Sequence, residues 1–203
     1  MQIGLVQIPR YGTNCYILMD ETKKVCAVVD PGGAAEHIVA SVKQYGCEPC
    51  AIFLTHGHYD HTGGVAELQE QWPGVPVYMN KGDIYEDVRM HREFPVLNNV
   101  KDYGEGDTFA VGDLTVKVLS TPGHSEGCVT LRCENVLFTG DTLFAGSMGR
   151  TDLPGGSTKK IMKSLKRLAE LEGNFAVLPG HMETSDLDTE RQNNPYMLQA
   201  LRF

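Results

Sequence analysis

The sequence predicts an α/β protein. Short apolar runs typical of buried strands alternate with segments in which apolar residues recur at helical spacing. Each half of the chain contains strands followed by a helical pattern, which indicates helices layered against sheets around a shared core. The predicted strands are 2–8, 14–19, 25–29, 51–54, 75–79, 108–111, 114–119, 128–132, 136–139 and 175–178.

Three further stretches are predicted to be helices. Apolar residues recur at helical spacing in 34–45, and Gly46 follows as a natural stop. The same pattern returns in 65–72. A third helix is predicted to begin after Ser157, a favourable N-cap residue, and to continue to Leu171.

The remaining segments give weaker patterns. The charged stretch 81–93 is predicted to be helical, and 94–106, the least regular part, is predicted to form a loop at the rim of a site. We expect the tail, 190–203, to form a short capping helix or turn. His37 and His91 have no partner pattern, so both are predicted to be exposed.

Bulk composition indicates one ordinary globular domain, 1–203. The chain has 203 residues, of which 41% are hydrophobic and 22% charged. A formal net charge of -8 argues against nucleic acid or an anionic membrane as the main partner. The N-terminus lacks a signal-peptide pattern and no apolar run approaches a membrane span, so we expect a cytoplasmic protein.

The 6 cysteines are scattered through strand-like segments. This distribution favours reduced core thiols over a disulfide framework. Cys47 and Cys50 form an isolated C-x-x-C pair, for which a redox or metal role is the alternative interpretation.

A cluster of histidines follows the strand 51–54. His56, His58 and His61 lie beside Asp60 within a few positions. His56 and His58 are two apart in an extended segment and therefore point to the same side. Imidazole and carboxylate donors without thiolate suit zinc, iron or manganese at a catalytic site. The pattern predicts a metal site, although an exposed turn would explain any one of these histidines alone.

Three later strands end in similar glycine-containing turns. The strand 114–119 leads to His124, 136–139 leads to Asp141, and 175–178 leads to His181. Active sites of layered α/β proteins are commonly assembled at strand ends. We therefore expect four turns to gather seven donor side chains at one edge of the sheets. Asp30, at the end of 25–29, is predicted to support the metal site or to act as an ordinary turn residue.

The segment His56-Gly57-His58-Tyr59-Asp60-His61, followed by the three later turns in this order, resembles the signature of the metallo-β-lactamase-fold hydrolases. This resemblance implies an αββα sandwich, with two mixed sheets face to face and helices outside. It implies that His56, His58 and His124 hold one metal, that Asp60, His61 and His181 hold a second, and that Asp141 bridges them. Two divalent ions are expected, zinc first, with iron or manganese as alternatives. Asp60 and Asp141 are the expected catalytic residues, acting with metal-bound hydroxide.

The expected chemistry is hydrolysis. A two-metal centre lowers the pKa of bound water to about 7 and so supplies hydroxide at neutral pH. Because the acids in the motifs would all be ligands, no obvious residue protonates a poor leaving group such as an amine. A thiol, with an ordinary pKa of about 8.5, needs no such acid. Thioester hydrolysis is therefore the simplest reaction for this site.

A second stretch resembles one branch of these hydrolases. Residues 141–146, Asp-Thr-Leu-Phe-Ala-Gly, with Met148-Gly149-Arg150, are similar to glyoxalase II, which cleaves S-lactoylglutathione. The resemblance implies a small-molecule thioester substrate. Arg150 is a candidate anchor for a substrate carboxylate, with an ion pair to Asp152 as the alternative. Tyr196 is a candidate for the mouth of the site, with packing of the tail as the alternative.

Other activities remain open from the sequence. His56, His124 and Asp141 alone would make an iron site of two histidines and one carboxylate, as in the persulfide dioxygenases, whose Gly-Arg-Thr-Asp stretch resembles 149–152. Lactonase or β-lactamase activity is chemically open. An electron-transfer module similar to flavodiiron proteins is disfavoured, because those proteins have Glu where His58 stands.

Overall fold

The first half of the chain forms a mixed sheet of six strands in sequence order. The computed structural model describes residues 1–84 and 97–202. Strands β1 to β3 pair antiparallel, and β3 to β6 pair parallel. The strands are β1 (Gln2–Ile8), β2 (Thr13–Asp20), β3 (Val25–Val29), β4 (Glu48–Leu54), β5 (Val77–Met79) and β6 (Val100–Asp102).

The second half forms another mixed sheet of six strands, in the order β14-β13-β10-β9-β8-β7. Only the β10–β13 pair is parallel in this sheet. Its strands are β7 (Thr108–Val111), β8 (Leu114–Ser120), β9 (Val129–Cys133), β10 (Val136–Gly140), β13 (Ala176–Pro179) and β14 (Ser185–Asp186), and a separate ribbon is made by β11 (Leu143–Phe144) and β12 (Ser147–Met148).

In the described part of the chain, six helices cover the outer faces and turns of the sheets. They are α1 (Ala35–Tyr45), α2 (Tyr59–Thr62), α3 (Val65–Gln71), α4 (Thr158–Ala169), α5 (Leu187–Asn193) and α6 (Pro195–Ala200). Two predicted helix boundaries are confirmed by their caps. The backbone of Gly46 adopts the left-handed conformation at the end of α1, and the Ser157 side chain accepts a hydrogen bond from Lys160 N at the start of α4.

Apolar side chains form three core layers. One lies between the first sheet and its helices, one between the two sheets, and one between the second sheet and its helices. Along β4, Phe53 points between the two sheets, whereas Ile52 and Leu54 pack with α1 and α3. Leu165 of α4 and Val177 of β13 lie in the third layer, under α4, α5 and α6. Burial on both faces explains the continuous apolar runs in the sequence. The αββα sandwich, with two mixed sheets flanked by helices, is confirmed.

Several short elements were not predicted. The prediction of an irregular 94–106 is wrong at β6, whose three residues become a strand by pairing with β5. Likewise β11, β12 and β14 have two residues each, too few for a period of two to appear. The tail contains two helices, α5 and α6. Of the predicted helix 81–93, the structure describes 81–84, which contain the 3₁₀ turn Lys81–Asp83, and His91 lies outside the described residues.

Two further expectations concern side chains and helix length. His37 is exposed, as predicted, and all six cysteines are free thiols, five of them buried. Within residues 1–84 and 97–202, no helix combines the length and apolar character needed to cross a membrane.

Candidate metal centre

The histidine cluster lies at the turn from β4 into α2. His58 has an extended backbone and is the N-cap residue of α2, so the chain changes direction between His58 and Asp60. The loop after β3 touches this turn closely, because a Cβ atom at Gly32 would lie 1.6 Å from the Asp60 carbonyl oxygen. Glycine at position 32 therefore allows the two loops to meet. The contact also fixes where α2 begins relative to β3.

The first group of donors comprises His56, His58 and His124, all buried. One donor atom from each lies within 4.8 Å of the others. His58 Nδ1 and His124 Nε2 are 2.8 Å apart. His124 reaches this point from the turn after β8, so the two sheets each contribute to the group.

The second group comprises Asp60, His61 and His181, whose donor atoms also lie within 4.8 Å of one another. His181 Nε2 is 3.1 Å from Asp60 Oδ2 and 3.3 Å from His61 Nε2. His181 follows β13 of the second sheet. Residues distant in sequence thus meet at the edge of the sandwich where the strands end.

Asp141 lies between the two groups. Its Oδ1 is 3.3 Å from His61 Nε2, and its Oδ2 is 3.4 Å from His124 Nε2 and 3.6 Å from His181 Nε2. Burial would raise the pKa of this carboxyl, but His61, His124 and His181 hold the pKa well below its usual range. A buried carboxylate that faces both groups is positioned to be shared by two cations.

Asp30 orients two of the imidazoles. Its Oδ2 is 3.1 Å from His61 Nδ1 and accepts a 2.6 Å hydrogen bond from Thr55 Oγ1. Because that Thr55 hydroxyl proton is committed to Asp30, we assign the 3.1 Å contact between Thr55 Oγ1 and His56 Nδ1 as a bond donated by His56. Both rings then direct Nε2 toward the cluster, which is the usual role of groups behind metal-binding histidines. The predicted supporting role of Asp30 is consistent with these contacts.

The backbone carbonyl of Arg150 supports a third imidazole. It lies 2.8 Å from His124 Nδ1, which assigns the proton to that nitrogen and directs Nε2 toward Asp141. The sequence analysis considered only the Arg150 side chain. A backbone acceptor is invisible to motif reasoning, because every residue offers one.

The ionisation of the cluster favours cation binding. Burial, and next the His124 and His61 rings, lowers the pKa of His58 to about 3. Burial likewise lowers the pKa of His56 far below its usual range. Burial acts in the same direction on His61 and His181, but nearby carboxylates, above all Asp141 for His61 and Asp60 for His181, raise the pKa of both rings. Neutral rings at His56 and His58 keep lone pairs for a metal ion.

The residues fit divalent metal ions. His56 Nε2 is fully buried and has no hydrogen-bond partner among the described residues, which is costly for a polar atom unless a cation binds it. Imidazole nitrogens and carboxylate oxygens are donors that zinc, iron and manganese accept. The structure brings all seven predicted donors together. Which of them bind metal remains a prediction.

Asp83 is a buried carboxylate that the sequence analysis missed. It accepts hydrogen bonds from Gly57 N at 2.9 Å, Ser125 Oγ at 2.5 Å and Gly127 N at 2.7 Å. Gly57 separates two histidines of the first motif, and Ser125 follows His124. Asp83 therefore joins the two turns that form the first donor group. Its partners are mostly backbone amides, which leave no sequence signature.

A cavity of about 1070 Å³ opens above the donors. Five of the seven donors line it, together with a rim of arginine, aromatic and apolar side chains. The lining residues are Arg10, Tyr11, His58, Tyr59, Asp60, His124, Asp141, Phe144, Ser147, Met148, Arg150, Leu153, His181 and Met182.

The two predicted substrate contacts have different locations. Arg150 lines the cavity and also forms the alternative ion pair, with two 2.7 Å hydrogen bonds to Asp152. Tyr196 lies on α6 and is 37% exposed, and it is not among the described residues that line the cavity. The structure therefore does not bring Tyr196 to the mouth of the cavity.

Sequence comparison identifies the family. The profile described as "Metallo-beta-lactamase superfamily" matches residues 8–181. The chain belongs to the metallo-β-lactamase superfamily. Relatives within it include the "Probable metallo-hydrolase YqgX" of Bacillus subtilis (strain 168), 33% identical over 97% of this chain and 95% of that protein. The "Hydroxyacylglutathione hydrolase GloC" of Haemophilus influenzae is 28% identical over 97% of this chain and 98% of the relative.

Solved structures of the superfamily have the same fold. BLEG-1 B3 metallo-β-lactamase is 30% identical, with a TM-score of 0.88 over 97% of this chain and 99% of that one. TTHA1623, solved in a di-iron-bound form, is 34% identical, with a TM-score of 0.83 over 95% and 99%. ETHE1 from Myxococcus xanthus is 26% identical, with a TM-score of 0.84 over 96% and 84%. The resemblance drawn from the motifs is thus confirmed at the level of the superfamily.

Proposed function

We propose that this protein is a binuclear metallohydrolase of glyoxalase II type that cleaves a small-molecule thioester. The observation that carries the proposal is the position of Asp141 between the two donor groups, at 3.3 Å from His61 and 3.4 Å from His124. A mononuclear centre built on His56, His58 and His124 would not require Asp60, His61 and His181 to converge on the same carboxylate. The 34% identity to TTHA1623, which has a di-iron form, also supports two metals.

The two donor groups supply the metal ligands that we propose. His56, His58 and His124 would hold one ion, Asp60, His61 and His181 a second, and Asp141 would contact both. Two divalent ions there would supply hydroxide near neutral pH and would polarise an acyl oxygen. Asp30 and the Arg150 carbonyl keep the imidazoles in the tautomer that presents Nε2.

The lining of the cavity favours a thioester over an amide. Every carboxylic acid and imidazole among the described lining residues belongs to the seven donors. None is left to protonate an amine as it leaves, whereas a thiolate leaves without an acid because the ordinary pKa of a thiol is about 8.5. The relationship to the Haemophilus hydroxyacylglutathione hydrolase supports the same substrate class.

The first test combines metal content with turnover. We expect protein purified without added metal to contain about two ions per chain and to hydrolyse S-lactoylglutathione. His181→Gln should reduce the content to about one ion and lower kcat by roughly a hundredfold or more, because one ion loses a ligand and the pair is required. His37→Gln, which replaces an exposed histidine of α1, is the matched control and should change neither value.

A mononuclear iron dioxygenase is the second candidate. The presence of two histidines and one carboxylate in His56, His124 and Asp141 favours it. One iron per chain with oxygen uptake on glutathione persulfide, and no loss of metal in His181→Gln, would replace the hydrolase proposal. Hydrolysis of a lactone or a β-lactam without thioester turnover would instead correct the substrate class.

A further inference from the structure

Among the described residues, two arginines line the cavity, and their guanidinium groups have different partners. Arg150 donates two 2.7 Å hydrogen bonds to Asp152, so one edge of its guanidinium is already occupied by a carboxylate. Arg10 forms no ion pair with any carboxylate of residues 1–84 and 97–202. Its guanidinium lies over the ring of Tyr11, 5.2 Å from the ring centroid. In a chain of net charge -8, an arginine at a cavity without an acidic partner is available for an anion.

The aromatic rings beside Arg10 connect it to the metal motif. Tyr11 packs edge-on against Tyr59, with ring centroids 6.0 Å apart and planes at 84°. Tyr59 stands between His58 and Asp60 in the sequence and is 43% exposed. All of these residues line the same cavity. The rings of Tyr59 and Tyr11 therefore form a continuous aromatic surface between the metal donors and the Arg10 guanidinium.

We infer that Arg10 binds a carboxylate of the substrate while Tyr11 and Tyr59 contact the carbon skeleton between that carboxylate and the reacting carbonyl. The inference rests on the proposed function. It names the substrate class as acyl thioesters of a thiol that carries a free carboxylate. When a guanidinium lies over the face of an aromatic ring, its N–H groups remain available for two parallel hydrogen bonds to a carboxylate.

The position of Arg10 indicates which part of the substrate it meets. The acyl carbonyl must lie beside the donors, and Arg10 is an exposed residue of the turn between β1 and β2. A group that reaches the rim must belong to the long part of the thioester, which is the thiol carrier when the acyl group is small. A cavity of about 1070 Å³ accommodates a carrier of tripeptide size.

The test compares two thioesters with the same acyl group. One is the lactoyl thioester of glutathione, which carries carboxylates, and the other is the lactoyl thioester of N-acetylcysteamine, which carries none. Arg10→Met should lower kcat/KM for the glutathione ester by about tenfold to a hundredfold, mainly through KM, because a charge-assisted contact is lost. The same variant should leave the N-acetylcysteamine ester within roughly twofold. Arg10→Lys keeps the charge but cannot make the two parallel hydrogen bonds of a guanidinium. Its kcat/KM for the glutathione ester should therefore lie between those of wild type and Arg10→Met.

Arg132→Met is the matched control. Arg132 also lies over an aromatic ring, at 4.7 Å from the Phe175 centroid, but outside the lining of this cavity. It should leave the ratio of the two kcat/KM values unchanged. An equal effect of Arg10→Met on both esters, or no effect on either, would overturn the inference while leaving thioester hydrolysis established.

A binding measurement separates the inference from the proposed function. We expect wild-type holoprotein to bind glutathione more tightly than glutathione dimethyl ester in calorimetry, and Arg10→Met to lose this preference. If wild type turns over neither thioester but shows the Arg10-dependent preference, the carboxylate site stands and the thioesterase proposal falls. If wild type shows no preference for the free carboxylates, the carboxylate site falls.

Discussion

At the scale of single residues, Asp83 links the two turns of the first donor group. It is 1% exposed and accepts bonds from Gly57, Ser125 and Gly127. Burial raises the pKa of this carboxyl, and the three hydrogen bonds oppose that rise. These three hydrogen bonds go to residues beside the metal donors, so Asp83 acts on the centre through the position of the backbone on either side.

We predict that Asp83→Ala weakens metal binding by about tenfold to a hundredfold, as the loss of a group that supports metal ligands typically does. The variant also leaves three buried donors unpaired, each at a cost of about 1–3 kcal/mol, so the free energy of unfolding should fall. The measurement is the affinity for Zn²⁺ by chelator competition, beside a urea denaturation curve.

Asp20→Ala is the control for Asp83→Ala. Asp20 is also a buried carboxylate with three hydrogen-bond donors, in its case the backbone amides of Thr22, Lys23 and Asp113. It lies at the far end of β2 from Asn14, whose backbone amide bonds to Gly180 beside the centre. We expect this variant to lose stability and to keep its metal affinity. If both variants lost Zn²⁺ affinity equally, Asp83 would contribute only to the stability of the fold and not specifically to the metal centre.

At the residue scale, the sequence predicted the seven donor side chains that the structure brings together and the support from Asp30, but it missed Asp83 and the Arg150 carbonyl. The seven donors could be found because His and Asp at strand ends, in this order, are chemically distinctive. Asp83 and the Arg150 carbonyl could not, because their partners are a backbone amide or a ring that only folding brings near. For Arg150 the sequence left two alternatives, and the structure contains the ion pair with Asp152.

At the scale of elements, α4 is fixed against the turn that carries His124. Gly123 O accepts a 2.8 Å bond from the backbone of Ser157, the N-cap residue of α4. A Cβ atom at Gly123 would lie 2.2 Å from Ile161 N, and its φ of +140° disfavours any other residue. The helix and the turn therefore share one position that only glycine can occupy.

Gly123→Ala should lower the free energy of unfolding by about 2–5 kcal/mol, since overpacking and backbone strain act together. The displaced turn should also reduce the metal content of the first donor group. Gly74→Ala is the control, because a Cβ there meets nothing within 4 Å, and it should change stability by at most about 0.5 kcal/mol. Thermal unfolding with metal analysis of both variants decides the point, and an unchanged Tm for Gly123→Ala would contradict the packing argument.

Elements with their own periodicity were predictable, and short ones were not. The strand β3 and the hairpin strand β7 match their predicted bounds because their apolar runs are bounded by turn residues. The strands β6, β11, β12 and β14 depend on their partners for their conformation. Two or three residues have no pattern of their own, so pairing decides them.

At the scale of the whole molecule, the two halves share the apolar layer between the sheets. Phe53 of β4 stacks with Tyr78 and Tyr103 and contacts Phe109 of β7, so one aromatic cluster joins both sheets. The donor groups also take residues from both halves. A shared core and a shared site are what the predicted single domain, 1–203, requires, and the single domain itself stays a prediction.

We predict that the chain unfolds in a single cooperative transition. Trp72, the one tryptophan, packs on the apolar layer under α1 and α3, so its fluorescence reports on the first half. Far-UV circular dichroism reports on all elements. The two probes should give coincident urea curves, as a two-state domain does. Separate midpoints would mean that the two halves unfold independently and would contradict a single domain.

The sequence by itself determined the αββα architecture and predicted which side chains gather at its edge. Burial on both faces of the strands, helical periodicity and the His and Asp residues at four strand ends are local or near-local patterns, and each follows from backbone geometry and donor chemistry. The tertiary structure alone decided what surrounds the donors. Asp83 meets Gly57, and Tyr11 packs against Tyr59, because residues far apart in sequence are brought together by the packing of loops. Such contacts have no periodicity, so specificity and support of the site could be read only from the fold.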